Sequence, residues 1–586
     1  MMHAYMEDTV ERKTLQAPIV TRTLTAELAG DFSLPDYQPE IKRLLRIGTN
    51  ILPPNRFAGS DGVELQGMLD YYVLYMGHDN GVYCAPLSTE YTMRAEAEGD
   101  AAVRAGEPIV CLCDATAEAP TGRVTAPRRL HIRCKVKADV KLYGEVPLEE
   151  EGDEDNTLEK LIATAEVGRL YWGIGEALPL TDDVILPPSE GEMRVVCAEG
   201  KVMMTEATAT EGSAATGQVH CRGEVLLKLT LCPAETEAEF ASDTAEGRAT
   251  PPLTVLQRKI PFSQTVEVAG VTSACAATAC GYCTDISVEM GEGRLHVDMA
   301  VVIETRAQKN ETVAYVADQY STRRHGVCRY VTRRTERALR ALNGNFTLSD
   351  SLPLSEVGID PNSRVVDVTA VATAEAMTID PAKGRCLLTG ACRCHLLLLR
   401  DGEYASAEMS LPFRYEFDDR SLMQGDEGAV SPGETILSSG RGTSDGAAAS
   451  DGTPTLDSRS VFDVTPVFDV TPVFDVMPVF DGRVTVVNCR GRMDGERVGI
   501  DAELAVSVRT CRPAPVTALS EADFGDEVTR RRGEYVICFP APTDTLWSVA
   551  KRYHAPMAAL TAVNNLPTGI PCHSTESLEG VGYLIV

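Results

Sequence analysis

The sequence predicts a mostly β protein, with three tandem β-rich domains followed by a small βααβ module. Two observations support the β domains: a set of features recurs three times in the same order, and apolar and polar residues alternate along many segments. A third observation supports the module, because apolar residues take helical spacing after residue 535. The chain has 586 residues, which is long enough for several domains.

Two features mark each of the three copies. The first is a glycine inside an alternating apolar run, at Gly67, Gly223 and Gly390. The second is a later segment with a common opening, which reads Arg-Leu-His at 129–131 and 294–296 and Arg-Val-Gly at 497–499. This recurrence predicts similar domains at residues 10–150, 155–335 and 338–525.

The segments after these openings have the pattern of strands. Residues 130–137 alternate between apolar and polar side chains, and a period of two is typical of a half-buried strand. His131 and His296 take equivalent positions, which indicates a shared surface environment. Catalysis would need a nucleophile or carboxylate beside them, and the sequence identifies none.

The third domain contains a predicted flexible insertion at residues 424–482. Its first part is rich in Gly, Ser, Ala and Asp and has almost no large apolar side chains. A six-residue repeat, Val-Phe-Asp-Val-Thr-Pro, then runs from Val461, and a proline in every copy excludes a helix or a central strand. We interpret the repeat as a linker, with a short linear motif displayed several times as the alternative.

Charge and hydropathy exclude several classes of partner. The net charge of −30 disfavours nucleic acid, whose backbone is also negative. The sequence shows no apolar run of the roughly 18 residues that a membrane-spanning helix needs. Residues 1–16 include three acidic side chains and no apolar segment of a signal peptide. We therefore expect a cytoplasmic protein with no membrane span.

The cysteines favour packing over chemistry. The 18 cysteines are scattered along the chain, and we interpret them as reduced, buried, small apolar side chains. Cys280 and Cys283 form a CxxC pair, but no second pair follows at zinc spacing. The cluster at 392–395 lies in a strand-like repeat, where packing explains it. We expect no catalytic residues, no metal and no cofactor; a cytosolic enzyme with a reactive thiol is the alternative.

The segment 533–586 forms the C-terminal module. Asp544 or Thr543 can cap a helix whose apolar residues follow at Leu546, Val549, Ala550 and Tyr553. Asn564-Asn565-Leu566 marks the end of a second helix. The segment resembles a LysM module, whose pattern is a strand, a Gly-Asp-Thr-Leu turn, two helices and a final strand. The resemblance implies a βααβ fold.

A proline-bounded motif lies near the other end of the chain. Pro35 and Pro39 hold the chain extended around Asp36 and Tyr37, and helix propensity resumes from Glu40. On these residues alone the motif is an architectural corner. Together with Leu34 it resembles the signature of the SPOCS domain of spore-coat proteins, so the three β domains are SPOCS-like by this resemblance. The second domain keeps a shorter form of this motif at residues 185–188, and the third domain has a weaker match at residues 351–353.

Three SPOCS-like domains with a terminal LysM module resemble spore-coat morphogenetic proteins of endospore-forming bacteria. The resemblance implies a non-enzymatic scaffold in the mother-cell cytoplasm, recruited to the forespore surface, that binds stage IV sporulation protein A, the coat-basement ATPase. The alternative is a protein whose LysM module binds peptidoglycan through its N-acetylglucosamine chains.

The residues expected to contact the partner lie on the first helix of the module. The helical count places them exposed or half-exposed, and a half-buried tryptophan is frequent at interface hot spots, so Trp547 is the strongest candidate. The expected set is Asp544, Thr545, Trp547, Lys551 and Arg552.

Overall fold

The structure is a computed structural model. It describes residues 14–97, 109–148, 157–186, 193–212, 216–233, 252–291, 293–380, 385–418, 479–529, 536–541, 544–566, 578 and 581–586. Most of these residues lie in long antiparallel strands, and a small two-helix module follows the β-rich part. The predicted mostly β fold with a C-terminal βααβ module is confirmed.

The first β domain is a sandwich of two sheets. Its strands are β1 (Thr14–Ser33), β2 (Ile41–Ile51), β3 (Asn55–Gly59), β4 (Gly62–Gly77), β5 (Val82–Glu96), β6 (Ile109–Ala117), β7 (Thr121–Ala126) and β8 (Arg129–Pro147). One sheet has the order β1-β8-β6 with β7 also on β8, and the other has the order β2-β4-β3 with β5 also on β4. Alternate side chains of both sheets, such as Tyr71 and Leu130, fill one core.

The second β domain has the same layers. Its strands are β9 (Leu158–Ile174), β10 (Leu178–Ile185), β11 (Met193–Glu211), β12 (Thr216–Pro233), β13 (Thr254–Ala269), β14 (Ala276–Gly291) and β15 (Arg294–Ser321). Strand β15 pairs with β9, β10 and β14, and the other sheet has the order β11-β12-β13. The core between these sheets includes Val225 and Val297.

The third β domain repeats the arrangement. After β16 (Arg324–Arg333) come β17 (Glu336–Pro353), the short helix α1 (Leu354–Val357), β18 (Arg364–Asp380), β19 (Arg385–Arg400), β20 (Glu403–Asp418), β21 (Val479–Asp494), β22 (Arg497–Pro513) and β23 (Val516–Glu527). The sheets have the orders β17-β22-β21 and β18-β19-β20. Residues 479–482, assigned to the insertion from sequence, begin β21; most of the insertion and its repeat lies outside the described residues.

The recurring features take equivalent places in the three sandwiches. In each one, the opening and closing strands pair, and middle strands form the second sheet, four in the first sandwich and three in each of the other two. The common Arg-Leu-His or Arg-Val-Gly segment begins the closing strand, β8, β15 or β22. The recurring glycine lies in the central strand of the second sheet, β4, β12 or β19. The repeat read from sequence is thus a repeat of topology.

Each recurring glycine lies directly opposite an aromatic residue on the next strand. The cross-strand pairs are Gly67 with Tyr91, Gly223 with Phe262, and Gly390 with Phe413. A Cβ atom added at Gly67 would come within 2.3 Å of the Tyr91 ring, and one at Gly390 within 2.6 Å of the Phe413 ring. The aromatic ring fills the space over the missing side chain, which explains why glycine recurs there.

Strands β16 and β23 pair with each other, outside the sandwich sheets. Strand β16 lies inside the segment assigned to the second domain, whereas β23 follows the last strand of the third. This pairing ties the ends of the two segments together.

The proline-bounded motif at 34–39 connects β1 to β2. Leu34 is buried, Pro35 and Pro39 are half-buried, and Asp36 and Tyr37 are exposed, with Tyr37 82% exposed. The expectation that helix propensity resumes from Glu40 is wrong, because β2 begins at Ile41. Pairing of β2 with β4 outweighs the local helix propensity.

Buried ion pairs join the sandwiches. Arg56 of the first sandwich donates to Glu304 of the second at 2.7 Å, and Arg306 of the second contacts Asp114 of the first at 2.7 Å. Glu304 is 1% exposed. Burial alone would raise the pKa of Glu304, but Arg306 and Arg56 outweigh it and lower the pKa to about 2. This carboxylate is therefore charged and held between two guanidinium groups.

The C-terminal module contains β24 (Ile537–Cys538), α2 (Leu546–Arg552), α3 (Met557–Val563) and β25 (Leu584–Ile585). The two strands pair antiparallel and the helices pack on them. The core of the module continues into β15 through Tyr320 and into β9 through Leu161. Among the described helices, none has the length and apolar character needed to cross a membrane.

Candidate functional site on the C-terminal module

Helix α2 begins with a reciprocal cap. Thr545 is the N-cap residue, and its Oγ1 accepts a hydrogen bond from the backbone N–H of Ser548 at 3.1 Å. The Ser548 hydroxyl in turn accepts from the backbone N–H of Thr545 at 2.9 Å. This capping box satisfies two donors at the helix start, so Thr545 has a structural role in addition to any contact with a partner.

Asp544 supports the same helix start from inside the module. It is 5% exposed, and its carboxylate accepts from the backbone N–H of Ala541 at 2.9 Å and from Arg552. Burial alone would raise the pKa of Asp544, but the hydrogen bond from Arg552 and that from Ala541 lower it overall. Asp544 therefore links the turn before α2 to the last residue of that helix.

Trp547 faces the second sandwich. Its indole Nε1 donates to Asp318 Oδ2 at 2.8 Å, and its ring packs edge-on against Tyr320 with centroids 4.9 Å apart. Both partners belong to β15. Trp547 is 5% exposed, so its apolar ring and its polar N–H are both satisfied within the chain.

Lys551 lies one turn further along the same face of α2. Its Nζ is 2.6 Å from Asp318 Oδ1 and 2.8 Å from Oδ2. Tyr330 of β16 donates to Asp318 Oδ1 at 2.6 Å. One carboxylate of the second sandwich thus receives hydrogen bonds from Trp547, Lys551 and Tyr330.

Further contacts complete the seat of the module, which we define as its contact with β15 and β16. The Tyr320 hydroxyl donates to the backbone carbonyl of Ala555 at 2.7 Å. His554 Nδ1 lies 2.8 Å from the Ser321 carbonyl, and its ring packs edge-on against His325 with centroids 4.8 Å apart. The module is therefore held by several polar and aromatic contacts.

The expected exposure of two residues of the predicted set is wrong. Asp544 and Trp547 are buried, whereas Thr545 and Lys551 are half-buried and Arg552 is exposed, as expected. Helical spacing along the sequence distinguishes the residues that face the module's own core from the other residues of the helix. It could not show that β15 covers Trp547, because Asp318 is 229 residues away in sequence. The contact of the five predicted residues with a partner stays a prediction.

The module presents a different surface to solvent, which the sequence analysis missed. Ile537 and Phe539 lie two residues apart in an extended segment, so they share a face, and they are 58% and 75% exposed. Tyr583 is 57% exposed. It lies opposite Phe539 when the register that pairs Cys538 with Leu584 is continued by one residue. We call Ile537, Phe539 and Tyr583 the outer face. Residues 535–539 are apolar throughout, so alternation gave no signal of which side is exposed.

The cysteine pairs noted from sequence occupy strands. Cys280 and Cys283 lie in β14, and burial raises the pKa of both thiols, that of Cys283 to about 12. Cys392 and Cys394 point into the core of the third sandwich. Within the part of the chain that the structure describes, no three His, Cys, Asp or Glu side chains are grouped as metal ligands would be.

The two histidines noted from sequence make equivalent cross-strand contacts. His131 Nδ1 lies 2.9 Å from Asp31, and His296 Nδ1 lies 2.8 Å from Asp183. The hydrogen bond to Asp183 and the charge of Asp298 raise the pKa of His296. Both pairs lie at the start of a closing strand, so they are parts of the repeated sandwich.

Comparison with known proteins finds one family. Residues 541–569 match the family described as LysM domain. No curated protein and no solved structure matches the chain. The match covers the turn before α2 and both helices of the module described above, whereas β24 and β25 lie on either side of the matched residues. The C-terminal module is therefore a LysM domain, a type of module that binds peptidoglycan or other carbohydrate, or another protein.

Proposed function

We propose that this protein is a non-enzymatic, SipL-like scaffold of endospore coat assembly, which binds stage IV sporulation protein A through its LysM domain. Three repeated β sandwiches followed by a LysM domain support this proposal, as does the SPOCS-like motif with its exposed Asp36 and Tyr37. In this proposal the protein works in the mother-cell cytoplasm and is recruited to the forespore surface.

The outer face is the observation that carries the proposal. The LysM domain uses one side, with Trp547 and Lys551, to hold the second sandwich. The outer face leaves Ile537, Phe539 and Tyr583 more than half exposed. Exposed apolar and aromatic side chains grouped on one face are typical of protein interaction sites.

Arg552 is a second exposed feature of the LysM domain and carries charge. Half of its side chain is exposed although it pairs with Asp544. Of the five residues expected to contact the partner, Arg552 is the most accessible while the LysM domain stays on its seat. Arginine, like tryptophan and tyrosine, is enriched at interface hot spots.

Peptidoglycan is the second candidate ligand, and the LysM match favours it. Aromatic rings such as Phe539 and Tyr583 also offer flat apolar surface on which a sugar ring can lie. In this alternative, the sandwiches would carry a glycan-binding domain without taking part in recognition.

The test measures binding of the full-length chain to two ligands. Biolayer interferometry measures binding to purified stage IV sporulation protein A, and sedimentation measures binding to purified peptidoglycan. The variant is Phe539→Ser, and the matched control is Phe57→Ser, since Phe57 is 58% exposed on the first sandwich. Binding to the ATPase that Phe539→Ser weakens at least tenfold and Phe57→Ser leaves unchanged supports the proposal. Binding to peptidoglycan without binding to the ATPase overturns it.

A further inference from the structure

A cavity of about 810 Å³ lies where the three sandwiches meet. Its walls include the corresponding strands β2, β11 and β18 of the three sandwiches, and residues of β6, β7, β12, β14, β19, β20 and β21 complete them. This volume falls within the roughly 300–1,000 Å³ of small-molecule sites. The cavity lies away from the LysM domain, so its role is independent of the proposed docking surface.

Part of the cavity wall is a paired charge cluster. Arg46 of β2 makes ion pairs with Glu199 of β11 and Asp367 of β18, so each of the three sandwiches contributes one group. Lys228 Nζ is also 2.5 Å from Asp367 Oδ1. Arg46 is 3% exposed and Asp367 is 7% exposed. The carboxylates of Glu199 and Asp367 therefore balance the charges of Arg46 and Lys228.

Two further cations on the wall have no carboxylate partner. Lys201 Nζ contacts the carbonyl of Thr49 at 3.5 Å, and Arg483 donates to the Tyr282 hydroxyl at 2.6 Å. In the described ranges of the chain, neither Lys201 nor Arg483 has a carboxylate oxygen within 4.0 Å. Both side chains are half-buried and line the cavity.

The interior wall therefore carries an excess of positive charge. It has four cations, Arg46, Lys201, Lys228 and Arg483, against the carboxylates of Glu199 and Asp367. Arg393 and Glu408 also line the cavity, but both are exposed and their charges cancel. An excess of two positive charges at the centre of a chain with net charge −30 is a specific feature.

The environment of Lys201 shows the cost of this arrangement. Burial lowers the pKa of Lys201, and although Glu199 opposes this, the charges of Arg483 and Lys228 lower it further. A partly buried charge without an ion-pair partner destabilises a folded protein. An anion in the cavity would remove that cost.

We propose that the cavity binds a small organic dianion, held by Lys201 and Arg483 through its charges. The ligand completes the junction of the three sandwiches. Phosphate esters and dicarboxylates share this chemistry.

The experiment is isothermal titration of the full-length chain with three probes: glucose 6-phosphate, malate and neutral glucose, at matched ionic strength. We expect saturable 1:1 binding of at least one dianion and none of glucose. Lys201→Met should weaken that binding about tenfold or more, because a charge-assisted contact is lost. The matched control is Lys135→Met on the first sandwich, whose lysine is 43% exposed, and this variant should bind as the wild type does.

A second variant keeps the test decisive if Lys201→Met does not fold. Arg483→Gln removes the other cation without a carboxylate partner and should weaken binding to a similar degree. Stronger binding of malate than of glucose 6-phosphate identifies a dicarboxylate, and the reverse order identifies a phosphate ester; either supports the proposal. No saturable binding of either dianion, or binding unchanged in the cavity variants, overturns it.

Discussion

Trp547 of the LysM domain donates its indole N–H to Asp318 of the second sandwich, with 2.8 Å between the two atoms. The same carboxylate contacts Lys551 at 2.6 Å and Tyr330 at 2.6 Å. Asp318 on β15 therefore makes several of the contacts that hold the LysM domain on its seat, and the orientation of the domain determines which of its surfaces reaches a partner.

Substitution of Asp318 should release the LysM domain. Asp318→Ala leaves the Trp547 N–H and the Lys551 ammonium without their acceptor, which should cost about 1–3 kcal/mol of seat stability. Tryptophan fluorescence should shift to longer wavelength, because Trp547 gains exposure while Trp172 keeps its place. The control is Asp298→Ala, which removes a half-exposed carboxylate on the same strand. An unchanged spectrum would contradict the account of the seat.

The recurring glycines should be sensitive to the smallest added side chain. In Gly390→Ala, the new Cβ atom would lie 2.2 Å from the Thr373 carbonyl oxygen and 2.6 Å from the Phe413 ring. We expect a loss of about 1–3 kcal/mol in the free energy of unfolding, measured by urea denaturation. Gly525→Ala is the control, since a Cβ atom there would meet nothing within 4 Å. Equal stability of the two variants would show that the aromatic ring does not require the glycine.

Glu304 should link stability to acid pH. Its folded-state pKa of about 2 lies below the unfolded value of about 4.3, so its contribution is complete above about pH 4.3 and is lost as the pH falls to about 2. Glu304→Gln leaves Arg56 and Arg306 without this carboxylate, and we expect a loss of about 3–5 kcal/mol near pH 7.

The measurement for Glu304 is the difference in unfolding free energy between wild type and variant from pH 7 to pH 2. The difference should shrink as the pH falls below about 4.3. Glu521→Gln is the control, because its pair with Arg329 is exposed and should contribute little at any pH. A difference that stays constant with pH would show that the charge of Glu304 is not what joins the first two sandwiches.

His296 should titrate above the usual pH for histidine. The hydrogen bond to Asp183 and the charge of Asp298 raise its pKa, so the protonated form is favoured in the folded state. The stability from this pair is therefore present at low pH and is lost as the pH rises through the folded-state pKa. An NMR titration should show a lower pKa for His296 in Asp183→Asn; an unchanged value would exclude the hydrogen bond as the cause.

The repeat was readable from the sequence because its determinants are local. Alternation marks a strand, and a glycine opposite an aromatic ring leaves a visible gap in an apolar run, as at Gly67. The strand at Ile41 was missed because its pairing with β4 overrides the helix propensity of the same residues. The sequence could indicate that Trp547 is important, but a contact with Asp318 depends on how two distant segments pack.

The cavity charges were not predictable for the same reason. Arg46, Lys201 and Arg483 belong to three different sandwiches, and each stands in an ordinary alternating strand. Their excess of positive charge exists only once β2, β11 and β21 converge. The outer face also required the structure, because the order of exposure of Ile537, Cys538 and Phe539 follows from the pairing of β24 with β25.

Hydrogen exchange of the full-length chain, alone and with stage IV sporulation protein A, distinguishes docking through the outer face from docking through the seat. Docking through the outer face should slow exchange at residues 536–541 and 581–586 on addition of the ATPase, with no change at residues 316–330 of the seat. Faster exchange at 316–330 together with protection of 544–552 would contradict it, because the LysM domain would then leave its seat and bind through the face that carries Trp547. No protection anywhere in the LysM domain would contradict the proposed docking as well.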